Sequence, residues 1–112
     1  METKQKLVQH LKDCERACNT CYDACSKEPD KGNLKICMML DKECAGICHL
    51  TTVLLESSSL NVPRFLRLCG EICEACAEEC EKHPYGHCIE CAKMCRHCAE
   101  LCFSFEPAVN KN

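Results

Sequence analysis

Cysteine recurs at helical spacing in four stretches of this chain, and this spacing limits the fold more than any other feature. Cys14, Cys18, Cys21 and Cys25 are separated by four, three and four residues. An α-helix turns by about 100° per residue, so this spacing brings the four sulfurs to one face. The buried positions of an amphipathic helix are thus occupied by thiols. Sixteen of the 112 residues are cysteine. Besides these four, they are Cys37, Cys44, Cys48, Cys69, Cys73, Cys76, Cys80, Cys88, Cys91, Cys95, Cys98 and Cys102.

Three turn-rich segments divide the chain into four helical stretches. Pro, Gly, Asp, Asn and Ser are concentrated at residues 26–33, 57–63 and 82–86, which predicts connectors there. Short connections make successive helices antiparallel neighbours. The sequence therefore predicts an all-α fold, an antiparallel up-down-up-down four-helix bundle with a cysteine-lined core, forming a single domain over residues 1–112. The predicted helices cover residues 3–27, 34–56, 63–82 and 87–105, with Asn33 as the N-cap of the second and Pro63 in the first turn of the third.

The first and third helices share the same cysteine spacing, so the chain reads as a helical hairpin used twice. The second helix departs from this weak repeat, because Asp41 takes the position one turn after Cys37. Two interpretations of Asp41 stay open. Its carboxylate either has a role near metal, or it is rotated to the helix flank or held by a lysine.

The predicted topology gives the two ends of the bundle different chemistry. One end collects Cys25, Cys37, Cys80 and Cys88 with His83, His87, Met38 and Met39, which are all potential ligands of soft metal ions. The other end is predicted to be plugged by Leu7, Leu55, Phe65, Leu66 and Phe103, with His10 one turn before Cys14 as a further candidate ligand. His49, His97 and Met94 lie off the cysteine faces and are predicted to be surface or packing residues.

Composition excludes several classes of protein. The formal net charge is −3, which provides no basic surface for nucleic acid. The sequence shows no apolar run of the length of a signal peptide or a membrane span, so we expect a cytoplasmic protein without membrane partners. In that reducing compartment, abundant cysteine indicates metal binding or redox chemistry rather than a disulfide framework.

Three alternative roles for the sulfurs are less favourable than metal binding by separate ions: disulfides, simple packing and an iron-sulfur cluster. Disulfides are disfavoured, because cysteines on one helix diverge and those on neighbouring helices are expected to lie beyond bridging distance. Simple packing would be served by alanine or valine without the hazard of oxidation. An iron-sulfur cluster usually takes its ligands from a compact Cys-x2-Cys-x2-Cys loop, which this chain lacks.

Charge balance then distinguishes between metals. Four zinc ions in tetrathiolate sites would leave about eight negative charges in the core, which is prohibitive in a low-dielectric interior. Cu(I) accepts two or three soft thiolate ligands, and sharing each sulfur between two ions gives about one Cu(I) per cysteine, roughly 16 in all. This stoichiometry favours storage of multiple Cu(I) ions per chain.

The four cysteine-lined helices resemble a known family. The run from Cys69 through Cys73 and Cys76, followed by His83, His87-Cys88 and the cysteines from Cys91 to Cys102, closely resembles the four-helix-bundle copper-storage proteins of the cytosolic type. The resemblance covers nearly the whole chain. It implies a core filled with cysteine-bound Cu(I), histidines near one mouth of the bundle and assembly into a homotetramer.

Two classes of function therefore stay open from the sequence. The first is cytosolic storage or buffering of Cu(I), with copper entering at the end that bears His83, His87, Met38 and Met39. The alternative is a thiol-redox or iron-sulfur electron-transfer protein. No arrangement of nucleophile, base and orienting group emerges, so we predict that the chain is not an enzyme. We also expect the reduced, metal-free chain to fold, because protonated thiols are compatible with an apolar interior.

Overall fold

The computed structural model describes residues 3–107 and confirms the all-α fold class. Within these residues no strand is present, and no helix is both long and apolar enough to cross a membrane. A short 3-10 turn, Lys31–Leu34, leads into the second helix. The four α-helices are α1 at Lys4–Cys25, α2 at Lys35–Glu56, α3 at Val62–Cys80 and α4 at Gly86–Ser104.

The helices form an elongated antiparallel bundle. Helix α1 packs against α2 and α4, and α3 packs against the same two neighbours. The described part of the chain measures 56 × 21 × 18 Å. This up-down-up-down arrangement places the cysteine-bearing faces of all four helices around one central axis.

The helix ends fall within a few residues of the predicted positions, with one difference in capping. The Thr3 hydroxyl accepts a hydrogen bond from the Lys6 amide at 3.1 Å and caps α1. Pro63 lies in the first turn of α3, as predicted. The prediction that Asn33 caps α2 is wrong, because Asn33 lies inside the 3-10 turn and its amide bonds to the Asp30 carbonyl. Helix α2 then begins without a side-chain cap.

Fully buried leucines lie near both ends of the bundle. Leu7 and Leu11 are fully buried at the predicted plugged end. Leu34 is fully buried at the other end, beside the candidate metal ligands that the sequence predicts there. The prediction that Phe103 helps to plug the end that holds Leu7 is wrong. Phe103 is 47% exposed and lies across Gly70, where a Cβ would come within 2.5 Å of its ring.

Candidate metal centre

The structure places every cysteine in the interior of the bundle. None of the sixteen is more than 2% exposed, and all are free thiols. Reduced cysteine behaves as a small hydrophobic residue, so it can pack in such an interior. The result is a continuous column of sulfur where a conventional bundle would carry leucine.

Sulfurs from different helices lie almost in contact. The Sγ atoms of Cys37 and Cys80 are 3.4 Å apart, and those of Cys44 and Cys73 are 3.5 Å apart. Sulfurs on neighbouring helices therefore approach more closely than the sequence alone indicated, but they are not bonded to one another. These separations still exceed a disulfide bond length of about 2.05 Å.

The close sulfurs assemble into groups of four with the geometry of soft-metal sites. Within each group, all the potential ligand atoms lie within 4.8 Å of one another. Several cysteines, among them Cys14 and Cys73, belong to two groups, so neighbouring sites would share bridging thiolates. Five of the groups are Cys14, Cys44, Cys48 and Cys73; Cys14, Cys18, Cys44 and Cys95; Cys18, Cys76, Cys91 and Cys95; Cys48, Cys69, Cys73 and Cys98; and Cys21, Cys25, His87 and Cys88.

His87 joins the sulfurs at the open end of the bundle. Its Nδ1 atom lies 3.7 Å from the Sγ atoms of both Cys21 and Cys25 and 3.6 Å from that of Cys88. Its Nε2 atom is paired with Glu28 Oε2 at 3.0 Å. A carboxylate on Nε2 orients a histidine ring so that its Nδ1 can act as the ligand. His87 is therefore positioned as a mixed nitrogen and sulfur ligand at the mouth.

His83 has a different environment from His87. Its Nε2 atom pairs with Glu79 Oε2, one turn away on α3, at 3.0 Å, and it belongs to none of the five groups above. Met39 is 51% exposed, and Met38 and Met39 line a surface groove between α1 and α2 with Tyr22. Their predicted roles in copper entry stay predictions.

His10 lies half-buried toward the opposite end. Its ring packs edge-on against that of His97, with the ring centres 4.8 Å apart. His97 and His49 are both exposed, as predicted, and His49 lies 3.6 Å from Glu15. A role for His10 as a terminal ligand stays a prediction.

Asp41 is fully buried among the cysteines. Its Oδ1 atom accepts hydrogen bonds from the thiols of Cys76 and Cys91, each at 3.4 Å, and lies 3.9 Å from Cys80 Sγ. Its Oδ2 atom has no hydrogen-bond partner among residues 3–107. Burial raises the pKa of this carboxyl to about 10. The interpretation that Asp41 turns to the helix flank is therefore wrong, and the group is a neutral acid at pH 7.

Thr51 is a residue of the core that the sequence analysis missed. It is fully buried, and its hydroxyl oxygen has no hydrogen-bond partner in the described residues. The signal was available, because Thr51 follows Cys44 by seven residues and continues the inner face of α2. Helix α2 thus presents oxygen as well as sulfur to the core.

At the His87 end of the bundle, burial favours the protonated form of the thiols in the absence of metal. Burial raises the pKa of Cys25 to about 11, and it also raises the pKa of Cys88 above its usual range. No buried lysine or arginine in residues 3–107 compensates a thiolate. Because no cation balances a thiolate there, we expect the metal-free core to be a neutral array of S–H groups, and any ion that binds must displace protons.

A four-helix bundle whose axis is a column of free thiols defines a class of protein that binds several soft metal ions in its core. Comparison with known proteins specifies the family. The sequence model of the copper storage protein family matches residues 1–107, and the chain belongs to that family.

Individual relatives agree with this assignment over most of the chain. A curated cysteine-rich protein of Bacillus subtilis, YhjQ, is 45% identical and covers 89% of this chain and 93% of its own length. The Cu(I)-bound copper storage protein BsCsp3 superposes with a TM-score of 0.86 at 41% identity, covering 89% of this chain and 94% of its own. A cytosolic copper storage protein from Streptomyces lividans, loaded with five coppers, gives a TM-score of 0.86 at 31% identity, covering 89% of this chain and 88% of its own.

Proposed function

We propose that this protein stores multiple Cu(I) ions in the cytosol on the thiolates of its core. The observation that carries the proposal is the column of buried thiols whose neighbouring groups share sulfurs. Replacement of each thiol proton by one Cu(I) leaves the charge of the core unchanged, whereas a divalent ion in a tetrathiolate site displaces four protons and leaves two negative charges. Membership of the copper storage family, and similarity to a Cu(I)-bound and a cytosolic relative, support the same function.

The proposed ligands are the sixteen cysteines together with His87 at the mouth. With two sulfurs per ion and two ions per sulfur, the capacity is about 16 Cu(I) per chain. His83 and His10 are candidate additional ligands, and neither is needed to reach this capacity. The protein has the character of a store that takes up and releases its cargo.

Anaerobic titration of the reduced protein with Cu(I) against a chromophoric Cu(I) chelator tests this function. We expect the protein to withhold roughly 16 equivalents from the chelator and to remain colourless, because Cu(I) has a filled d shell. Saturation after one or two equivalents, or preferential binding of zinc in competition, would contradict storage. A brown protein that contains iron and sulfide would instead support the iron-sulfur alternative.

We further propose that copper enters at the end that bears His87. The imidazole lies at the mouth and within 3.7 Å of three thiols, so it offers a first ligand from which the ion can pass to stronger thiolates. His87→Ala should slow uptake severalfold in stopped-flow measurements and leave the capacity nearly unchanged.

His83→Ala is the matched control for this experiment, because His83 lies at the same end and pairs with Glu79 rather than with the sulfurs. We expect His83→Ala to change the uptake rate less than His87→Ala does. Equal rates for the wild type and His87→Ala would refute entry through this histidine.

Self-association is also part of the proposal. The resemblance to the cytosolic copper-storage proteins implies a homotetramer, and several large apolar residues on the outer surfaces of the helices support association with further copies of the chain. Ile36, Met39, Leu50 and Val53 on α2 are each between 41% and 51% exposed. Sedimentation velocity of the reduced protein measures the mass of the assembly directly.

A further inference from the structure

The outer face of α2 carries a second regular pattern that the copper core does not use. Ile36, Met39, Leu50 and Val53 are exposed on this face, and the positions between them that continue the same spacing are Glu43 and Gly46. The six residues are separated alternately by three and four positions. That spacing is the heptad seam by which one helix packs against another. No described element of the chain covers it.

We propose that α2 pairs with α2 of a second copy of this chain, in antiparallel orientation and about a two-fold axis. The proposal rests on the self-association proposed above and assigns it an interface. A two-fold interface must be self-complementary, so each position of the seam must fit another position of the same seam. Antiparallel pairing achieves this with apolar contacts at both ends: Ile36 faces Val53 of the partner subunit, Met39 faces Leu50 of the partner subunit, and Glu43 faces Gly46 of the partner subunit.

Gly46 supports this register independently of the apolar residues. A Cβ at Gly46 would meet nothing within 4 Å, so packing inside the bundle does not require glycine there. Glycine in the middle of a helix is destabilising relative to alanine. In the antiparallel pair, the position opposite Gly46 is the longer side chain of the partner's Glu43, and the glycine provides the room for it.

Charge complementarity favours the same occupant. Lys35 and Glu56 flank the two ends of the seam and are both exposed. Antiparallel pairing brings Lys35 beside the partner's Glu56, and the two-fold axis repeats this pair at the other end. Glu56 also lies 3.8 Å from Lys12 of its own chain, but its side chain remains 55% exposed. Parallel pairing would instead place Lys35 beside Lys35, which is unfavourable.

Substitutions on the seam test the interface and its direction. Leu50→Glu puts a charge opposite Met39 of the partner subunit, twice in each pair, so the dissociation constant should rise on the order of 100-fold or more. Sedimentation velocity should then show half the wild-type mass. Met39→Lys should have the same effect. The double variant M39K/L50E places opposite charges across both contacts of the antiparallel register and should restore the wild-type mass.

Leu68→Glu is the matched control, because Leu68 on α3 is the same residue type and is also 41% exposed. It should leave the mass unchanged. Circular dichroism and Cu(I) capacity, measured on every variant, should match the wild type, which separates loss of the interface from failure of folding or of copper storage. The proposal is overturned if the wild type sediments as a 12.6 kDa monomer, if both single variants keep the wild-type mass, or if the double variant fails to recover it.

Discussion

Replacement of Asp41 by asparagine should make the stability of the reduced, metal-free protein less sensitive to pH. Asp41 has no exposed surface, and its carboxyl has a pKa of about 10 in the folded protein. The ordinary value for aspartate is about 3.9. Between these two values the folded chain retains a proton that the unfolded chain has released. The free energy of unfolding therefore falls as pH rises, by about 1.4 kcal/mol per pH unit from this group alone.

The magnitude at neutral pH follows from the same shift. At pH 7, about three units above the ordinary pKa, protonation of Asp41 costs the fold about 4 kcal/mol. The asparagine side chain does not titrate, so D41N recovers this energy. Part of the gain is lost, because the amide must donate to sulfur, a weak acceptor, at a cost of about 1–3 kcal/mol. We expect D41N to be more stable than the wild type by about 1–3 kcal/mol at pH 7.

The assay is urea unfolding followed by far-ultraviolet circular dichroism, between about pH 5 and about pH 7.5, below the range in which unfolded thiols ionise. The difference between D41N and the wild type should widen by about 1.4 kcal/mol for each unit of pH. Asp23→Asn, at an exposed position on α1, is the control and should show no such widening. Parallel pH profiles for D41N and the wild type would mean that Asp41 is ionised or hydrated in the folded protein, and the reasoning would fail.

Three further predictions follow from the packing and charge of the core. Leu11→Ala should destabilise the metal-free protein by about 2–5 kcal/mol in urea unfolding, because Leu11 is fully buried, whereas Leu60→Ala should cost less than about 0.5 kcal/mol, because Leu60 is 90% exposed. Gly70→Ala should cost about 1–3 kcal/mol, since its Cβ would clash with the Phe103 ring. The added variant Phe103→Leu should recover most of that loss. Loading with Cu(I) near pH 7 should release about one proton per ion in a weakly buffered solution, and release of far fewer would mean that the thiols are already ionised.

The architecture and the inner faces of the helices could be predicted from the sequence because cysteine marks them directly. A residue such as Cys76 reveals its orientation by its spacing from Cys73 and Cys80, and this periodicity requires no knowledge of the other helices. The positions of two connectors could likewise be predicted, because Pro29 and Pro84 lie within them. The periodicity of the cysteines therefore determines which face of its own helix each side chain occupies.

The roles of individual polar residues could not be predicted, since they depend on groups far away in the sequence. From the sequence, His83 and His87 are equivalent candidate ligands, because both lie beside the connector at residues 82–86. In the structure, Glu28 pairs with His87 Nε2, and Nδ1 of the same ring faces the sulfurs. His83 instead finds Glu79 on its own helix. Likewise, the orientation of Asp41 depends on Cys76 of α3 and Cys91 of α4, whose thiols donate to its carboxyl.

Burial favours the neutral, protonated form of both Asp41 and the thiols. This explains how an interior with so many ionisable groups can fold before it binds metal. Each of these groups is neutral when protonated, and burial raises the pKa of the Asp41 carboxyl and of thiols such as Cys25. A core of this kind needs no buried lysine or arginine, and residues 3–107 contain none. Exchange of a proton for a monovalent ion keeps the interior neutral at every stage of loading, so capacity can grow along the whole axis without accumulating buried charge.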